Sequence, residues 1–325
     1  RSGRAHQFLE APLEPVGALC WTPGSGPVPT RARLAAAERG WRTASSWGIG
    51  VAVAGLILVG SFQVISFRSV GSLLVRKRGD AYRRLSWVDC GPTPLAERRY
   101  TPQGMTWVDG HIFLANSWKN TRSRVYQIEP AGMQVKGYFD MPDEAVHTSG
   151  LAWDGRHLWA VDFVSNRVYA LDPEASLAAG RASVVHSFSS TLAGTSACCV
   201  VPWDGKQLLA ISDFRRSRKT LFVDAERAAA TGSAAGCVVL EYENEGFSQG
   251  LECFGGFLFE SENKLGKNVI NKIDLAVLRA TRRARTATIM QYEGPSWGIE
   301  DLAWDGEHLW TSDETTFRFY KARLG

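Results

Sequence analysis

The chain has 325 residues, of which 45% are hydrophobic and 22% charged, and its formal net charge is +4. That is ordinary globular composition, and the positive excess is too small to argue for a nucleic-acid partner. No Cys-x-x-Cys, His-Glu-x-x-His, Gly-x-Ser-x-Gly, Walker A or Gly-x-Gly-x-x-Gly pattern occurs, so no metal or other cofactor is expected.

Residues 1–42 are rich in Pro, Gly and Arg with little periodicity, and read as an extended arm. Residues 43–67 lie between Arg42 and Arg68 and carry no charge. Their apolar heart, 47–67, is 21 residues long. At helical rise it spans about 31 Å, the thickness of a hydrocarbon core. Trp47 and Phe67 suit the two interfaces. The run is too long for a secretory h-region and no small-residue cleavage site follows it, so a retained single-pass transmembrane helix is expected. Gly48, Ala52 and Gly55 share one helical face, a stripe that fits a neighbouring helix. Arg31, Arg33, Arg39 and Arg42 on one side balance Arg68, Arg76, Lys77 and Arg78 on the other, so charge gives no orientation. An extracytoplasmic placement, periplasmic in a bacterium, is the expectation, because exported propellers are common. Residues 68–81 form a basic juxtamembrane linker able to rest on the anionic headgroups of the bilayer.

From residue 82 the chain is periodic. Val108-Asp109-Gly110, Trp153-Asp154-Gly155, Trp203-Asp204-Gly205 and Trp304-Asp305-Gly306 repeat one pattern, with a degenerate copy at Phe254-Gly255-Gly256. The last glycines of these copies are 45, 50, 51 and 50 residues apart. A fixed period of this size signals a propeller or similar array, and Asp-Gly between apolar runs signals a hairpin. In the second copy, 150–153, 158–163, 167–171 and 183–188 read as four strands, the last two parted by Asp172-Pro173. The same phasing starts blades near Gln103, Thr148, Ser196, Ser248 and Trp297. The fifth copy runs out after its third strand, 317–321. The expected fold is therefore an all-β five-bladed propeller over 82–325, closed by an N-terminal outer strand within 82–90.

Cys198 and Cys199 are expected to be packed thiols. The hairpin tips between second and third strands are basic in three blades: Lys119 and Arg122; Arg215, Arg216, Arg218 and Lys219; Lys264 and Lys267. These tips suit an acidic partner surface. The second strands end on Asn116-Ser117, Val161-Asp162, Ser212-Asp213, Ser261-Glu262 and Ser312-Asp313. A polar group at one position of every copy reads as a device that ties down the following loop. His111, His157 and His308 follow the Asp-Gly turns and read as turn-adjacent surface residues.

The stretch Phe247-Ser248-Gln249-Gly250-Leu251, then Leu258-Phe259-Glu260-Ser261 and Leu265-Gly266, resembles the plant and bacterial glutamine cyclotransferases. Trp297-Gly298-Ile299 with Ser312-Asp313, and Ala115-Asn116-Ser117-Trp118, add partial echoes. The chain departs from that pattern in blade order, in Glu262-Asn263-Lys264, and in Glu314, which stands where the family has Gly. The resemblance implies a five-bladed fold and an enzyme forming N-terminal pyroglutamate. Glu260 would be its proton shuttle, Trp118 and Trp297 the pocket walls, and Asn116 and Gln249 the groups that orient the amide. The membrane helix, the arm and the imperfect motifs favour the other reading. That reading is a non-catalytic accessory or scaffold subunit of a larger membrane complex, for instance a respiratory or photosynthetic one. It would dock other membrane-protein subunits through its helix and a propeller face.

Overall fold

The computed structural model describes residues 81–93, 100–118, 120–214, 217–264 and 267–324. The arm, the expected membrane segment 43–67 with Gly48, Ala52 and Gly55, and the linker to residue 80 lie outside the described residues. Among the described residues, no helix is long and apolar enough to cross a membrane.

The described chain is a five-bladed propeller. Blade 1 is β3 (Tyr100–Val108), β4 (His111–Trp118), β5 (Arg122–Glu129) and β6 (Gln134–Asp140). Blade 2 is β7 (Thr148–Trp153), β8 (Leu158–Asp162), β9 (Arg167–Asp172) and β10 (Ser183–Ser189). Blade 3 is β11 (Thr195–Trp203), β12 (Lys206–Asp213), β13 (Lys219–Val223) and β14 (Val238–Glu243). Blade 4 is β15 (Phe247–Phe254), β16 (Phe257–Lys264), β17 (Lys267–Asp274) and β18 (Thr288–Glu293). Blade 5 is β19 (Ile299–Trp304), β20 (Leu309–Asp313) and β21 (Arg318–Ala322).

The expected closure is present, with a shift. The outer strand of blade 5 is β2 (Val88–Pro92), antiparallel to β21 with Val88 opposite Lys321 and Pro92 opposite Arg318. Residues 82–87 do not take part in that pairing. Instead β1 (Tyr82–Arg84) adds to the edge of blade 4, parallel to β18. The same segment thus caps one blade and completes the next, covering two edges that would otherwise be open. Trp87 bridges them by donating its indole N–H to the Glu293 carbonyl at 2.8 Å.

The core is five layers, one between each pair of adjacent blades. Between blades 1 and 2 lie Phe113, Phe139, Leu158 and Tyr169. Between blades 2 and 3 lie Trp159, Phe188, Ile211 and Leu221. Cys198 faces that layer, whereas Cys199 faces the next, between blades 3 and 4. Both thiols are buried and free, as strand alternation requires.

The repeat motif explains itself locally. At Asp109-Gly110, Asp204-Gly205 and Gly255-Gly256 both turn residues have positive φ, the two-residue hairpin geometry that Asp-Gly and Gly-Gly favour. In blades 2 and 5 the loop is longer and the Asp works through its side chain. Asp154 accepts the N–H groups of Arg156 and His157, and its other oxygen takes the Trp159 indole N–H at 2.7 Å. Asp305 repeats all three bonds with Glu307, His308 and Trp310.

The second-strand carboxylates tie down loops as expected. Asp162 accepts from the backbones of His147, Val164 and Ser165, and Asp313 from those of Gly298, Thr315 and Thr316. Between third and fourth strands, blades 2, 3 and 4 carry short helices that the strand pattern does not announce. These are α1 (Pro173–Ala179), α2 (Ala225–Thr231) and α3 (Leu275–Thr281), with the single turn α4 (Ala284–Ala287) after α3. Asp172, Asp224 and Asp274 cap their N-termini with side-chain bonds.

Candidate functional site

The innermost strands meet at the axis on small residues. Gly104, Gly150, Ala197, Gly250 and Asp301 occupy one layer. A Cβ added at Gly250 would lie 2.5 Å from the Asp301 Cα, and one at Gly150 would lie 2.7 Å from the Ala197 Cα. Only glycine allows that approach. Asp301 fills the centre. One carboxylate oxygen accepts the N–H groups of Met105 at 3.0 Å and Leu151 at 3.1 Å. The other accepts those of Leu251 at 3.1 Å and Leu302 at 3.0 Å. One buried side chain so joins four of the five blades. Burial raises its carboxyl well above the ordinary range, and the four amides act the other way.

Just before this layer every innermost strand has a register shift against its partner. The shifts fall between Pro102 and Met105, Thr148 and Gly150, Thr195 and Ala197, Ser248 and Gly250, and Ile299 and Leu302. The residues set in these bulges are Gln103, Ser149, Ser196, Gln249 and Glu300. A bulge re-aims a side chain that the pleat would send into a blade interface. All five line one cavity of about 200 Å³ at the mouth of the axis. His147, Phe163, Phe214 and Glu314 from the loops above, with Thr101 of β3, complete its wall.

Two carboxyl groups face each other there. Glu300 and Glu314 line the cavity together, close enough for Glu314 to bear on the ionisation of Glu300. Burial pushes Glu300 well above the ordinary carboxylate range, and Glu314, Asp301 and Asp313 push it further. Glu314 is raised too, by burial first and then by Asp313. Glu300 holds its proton more tightly for having Glu314 beside it, because two carboxylates so close together cannot both ionise cheaply. Each acid has its own amide: Gln103 donates to Glu314 and Gln249 to Glu300, both at 3.4 Å. His147 Nε2 donates to the Gln103 side-chain oxygen at 2.8 Å, which leaves the Gln103 NH₂ to face Glu314. Aromatic rings continue around the rim, with Phe163 6.2 Å from Phe214 and Phe214 5.2 Å from Phe247.

No protein-family model matches the chain, and no curated protein sequence matches it. Among solved structures, the crystal structure of Myxococcus xanthus glutaminyl cyclase aligns over 75% of this chain and 97% of its own, with a TM-score of 0.55 at 15% identity. The chain is a propeller resembling glutaminyl cyclase in fold. Two other alignments carry no argument about this chain, at TM-scores of 0.40 and 0.44. They are to a crystal structure of the mitotic checkpoint complex (15% identity; 68% of this chain, 63% of that one) and to one of a nidogen/laminin complex (14%; 70% and 77%).

Of the residues that the cyclotransferase resemblance singles out, Gln249 lines the cavity. Glu260 is fully buried on the second strand of blade 4 and sits beside Tyr242 of blade 3, in the interface between those blades. Asn116 is fully buried in β4, with no hydrogen-bond partner for either amide atom among the described residues. The Trp118 ring carries the Arg122 guanidinium 4.2 Å above it, and Trp297 is 46% exposed. The basic tips are only partly in view. Lys119, Arg215 and Arg216 lie outside the described residues, as do the side chains of Lys264 and Lys267. Arg218 pairs with Glu243 at 3.5 Å and Lys219 with Glu241 at 2.5 Å. Sequence reading passed over Gln103, His147, Glu300 and Asp301. It met Glu314 only as a departure from a motif. The available signal was columnar: aligned on the repeat, Glu314 stands where Phe163 and Phe214 stand, and Glu300 where Ser149 and Ser196 stand.

Proposed function

We propose that the axial cavity is an acid–base site acting on the amino terminus of a peptide, as in glutaminyl cyclisation, with Glu300 and Glu314 sharing the proton work. The observation that supports this reading is the carboxyl pair flanked by two amide side chains at the mouth of a five-bladed axis. In cyclisation the substrate's α-amine attacks the carbonyl carbon of its own side-chain amide. A C–N bond forms, the bond to the amide nitrogen breaks and ammonia leaves. The ionised member of the pair takes a proton from the attacking amine, and the protonated member gives one to the departing nitrogen. The pair ends with the charge it began with. Gln103 and Gln249 would orient the amide, and the Phe163–Phe214 rim would take the peptide that follows. The test is ammonia release from a Gln-initiated dipeptide. A fall in turnover of about a hundredfold or more in both Glu300→Gln and Glu314→Gln, with Glu260→Gln close to the parent, is expected. A purified chain without turnover on any Gln-initiated peptide would refute the reading.

The second reading is the membrane-anchored accessory subunit. It draws on the uncharged run 43–67 and the arm 1–42. It predicts stable co-purifying subunits in mild detergent, reduced by reversing charge at Arg218, and no dependence of any activity on Glu300.

A further inference from the structure

The axis has a second mouth on the far side of Asp301. A cavity of about 280 Å³ opens there, and the innermost strands of all five blades contribute to it. Three tryptophans line it, Trp107, Trp153 and Trp304, together with Glu252, Cys199 and Cys253. Two of the rings are held from behind. Trp304 lies flat on Phe254, with centroids 4.0 Å apart and planes at 6°, and Trp107 stacks on Trp310 at 6.0 Å. The carboxylate is fixed as well, accepting the N–H groups of Cys253 at 2.8 Å and of Trp304 at 3.0 Å.

We propose that this mouth binds a small organic cation of the alkylammonium class. Indole rings attract cations through their quadrupole, and a partly buried carboxylate with no ion-pair partner among the described residues completes the pairing. An anion would meet Glu252. A neutral apolar guest would cover the carboxylate without satisfying it. A hard divalent ion needs several oxygen ligands, and this lining has one carboxylate. The cavity is at the small end of ligand pockets, which suits a compact head group.

Charge gives the site a pH signature. Burial pushes the Glu252 carboxyl up to about 7. The titratable groups around it are Cys253 on its own strand, Cys198 and Cys199 on β11 and Asp301 on β19. Burial raises all three thiols, so they stay neutral near pH 7. A cation therefore binds more tightly as pH rises through about 7 and Glu252 ionises.

The experiment titrates the full chain with choline, and in parallel with its neutral isostere 3,3-dimethylbutanol, reading tryptophan fluorescence. Saturable choline binding is expected, with the isostere weaker by about tenfold and choline itself weaker at about pH 6 than at about pH 8. Glu252→Gln should erase the preference for the cation, whereas Glu314→Gln at the opposite mouth should leave it intact. Equal binding of the two probes or no saturable choline binding overturns the proposal. The comparison of choline with its isostere needs no variant, so it decides the matter even where Glu252→Gln folds poorly.

Discussion

Asp301 accepts the backbone N–H of Leu151 at 3.1 Å, across 150 residues of sequence. The bond is one of four from that carboxylate, and each of the other three also ends on an innermost strand. Asp301→Ala leaves those buried donors without partners. Each unsatisfied donor costs about 1–3 kcal/mol, so a total loss of at least about 3 kcal/mol is expected in urea unfolding. Asp301→Asn should lose less, since one oxygen remains. A denaturation midpoint unchanged in Asp301→Ala would show that the axis is held by something else.

The closing strand makes a contrasting case. Asp89 and Arg318 form an ion pair at 2.5 Å between β2 and β21, with side chains 44% and 40% exposed. An exposed, solvent-screened pair contributes little, so Asp89→Ala should melt nearly as the parent does. Deleting residues 81–93 removes Leu85 and Trp87 from the layer between blades 4 and 5, and Cys90 from the layer between blades 5 and 1. That deletion should cost about 3 kcal/mol or more and expose two strand edges. Calorimetry on the two variants separates the contributions. Equal melting of the deletion and the parent would mean the ring is not closed by this segment.

Glu252 gives a stability prediction with a definite sign. Its folded-state carboxyl is raised to about 7 from an ordinary 4.5. The folded protein therefore holds the proton more tightly than the unfolded chain, and stability falls as pH rises between these values. Glu252→Gln keeps one acceptor oxygen, turns its NH₂ toward the second of the Cys253 and Trp304 amides, and removes the titration. The lost bond lowers the variant by a constant amount, so its stability relative to the parent should rise between about pH 5 and about pH 8 by on the order of 2 kcal/mol. Parallel pH–stability curves for the two proteins would contradict the assignment.

Blade count, phasing and the need for an outer closing strand are legible in the sequence, because Asp-Gly turns and strand alternation are local properties. The shift of the closure to Val88–Pro92 is not, since residues 82–87 read equally as strand and their partner is β18, more than two hundred positions away. The helices after Asp172, Asp224 and Asp274 had a signal in their N-cap residues and, at Gly180 and Gly232, in their C-cap glycines. The cavity is harder to read. Its five wall residues sit in bulges, which break the two-residue period on which a strand's inward face is inferred. Gln249 was reached through a motif. Glu300 was not, because two acids side by side at a strand's centre read as surface until the axis is built. Glu260 shows the converse: its motif fits, yet its position on the strand aims it at a blade interface, beside Tyr242.

The acid pair makes the sharpest functional prediction. Catalysis by one shared proton requires the singly protonated pair, so the pH–rate profile should be bell-shaped. Its alkaline limb reports loss of the shared proton. That limb should lie above the ordinary carboxylate range, because burial and the neighbouring carboxylates both oppose ionisation of Glu300. Glu314→Gln removes one of those negative neighbours. The remaining acid then ionises more easily, and the alkaline limb of any residual activity should move to lower pH. Gln103→Leu acts in the opposite sense, since the amide that donates to Glu314 favours its charged form. Its limb should move to higher pH, with kcat falling less than in Glu300→Gln. Profiles of kcat/KM on a Gln-initiated peptide for the parent and the three variants test this ordering. A limb that stays put in both Glu314→Gln and Gln103→Leu would assign the titration to a group outside the pair.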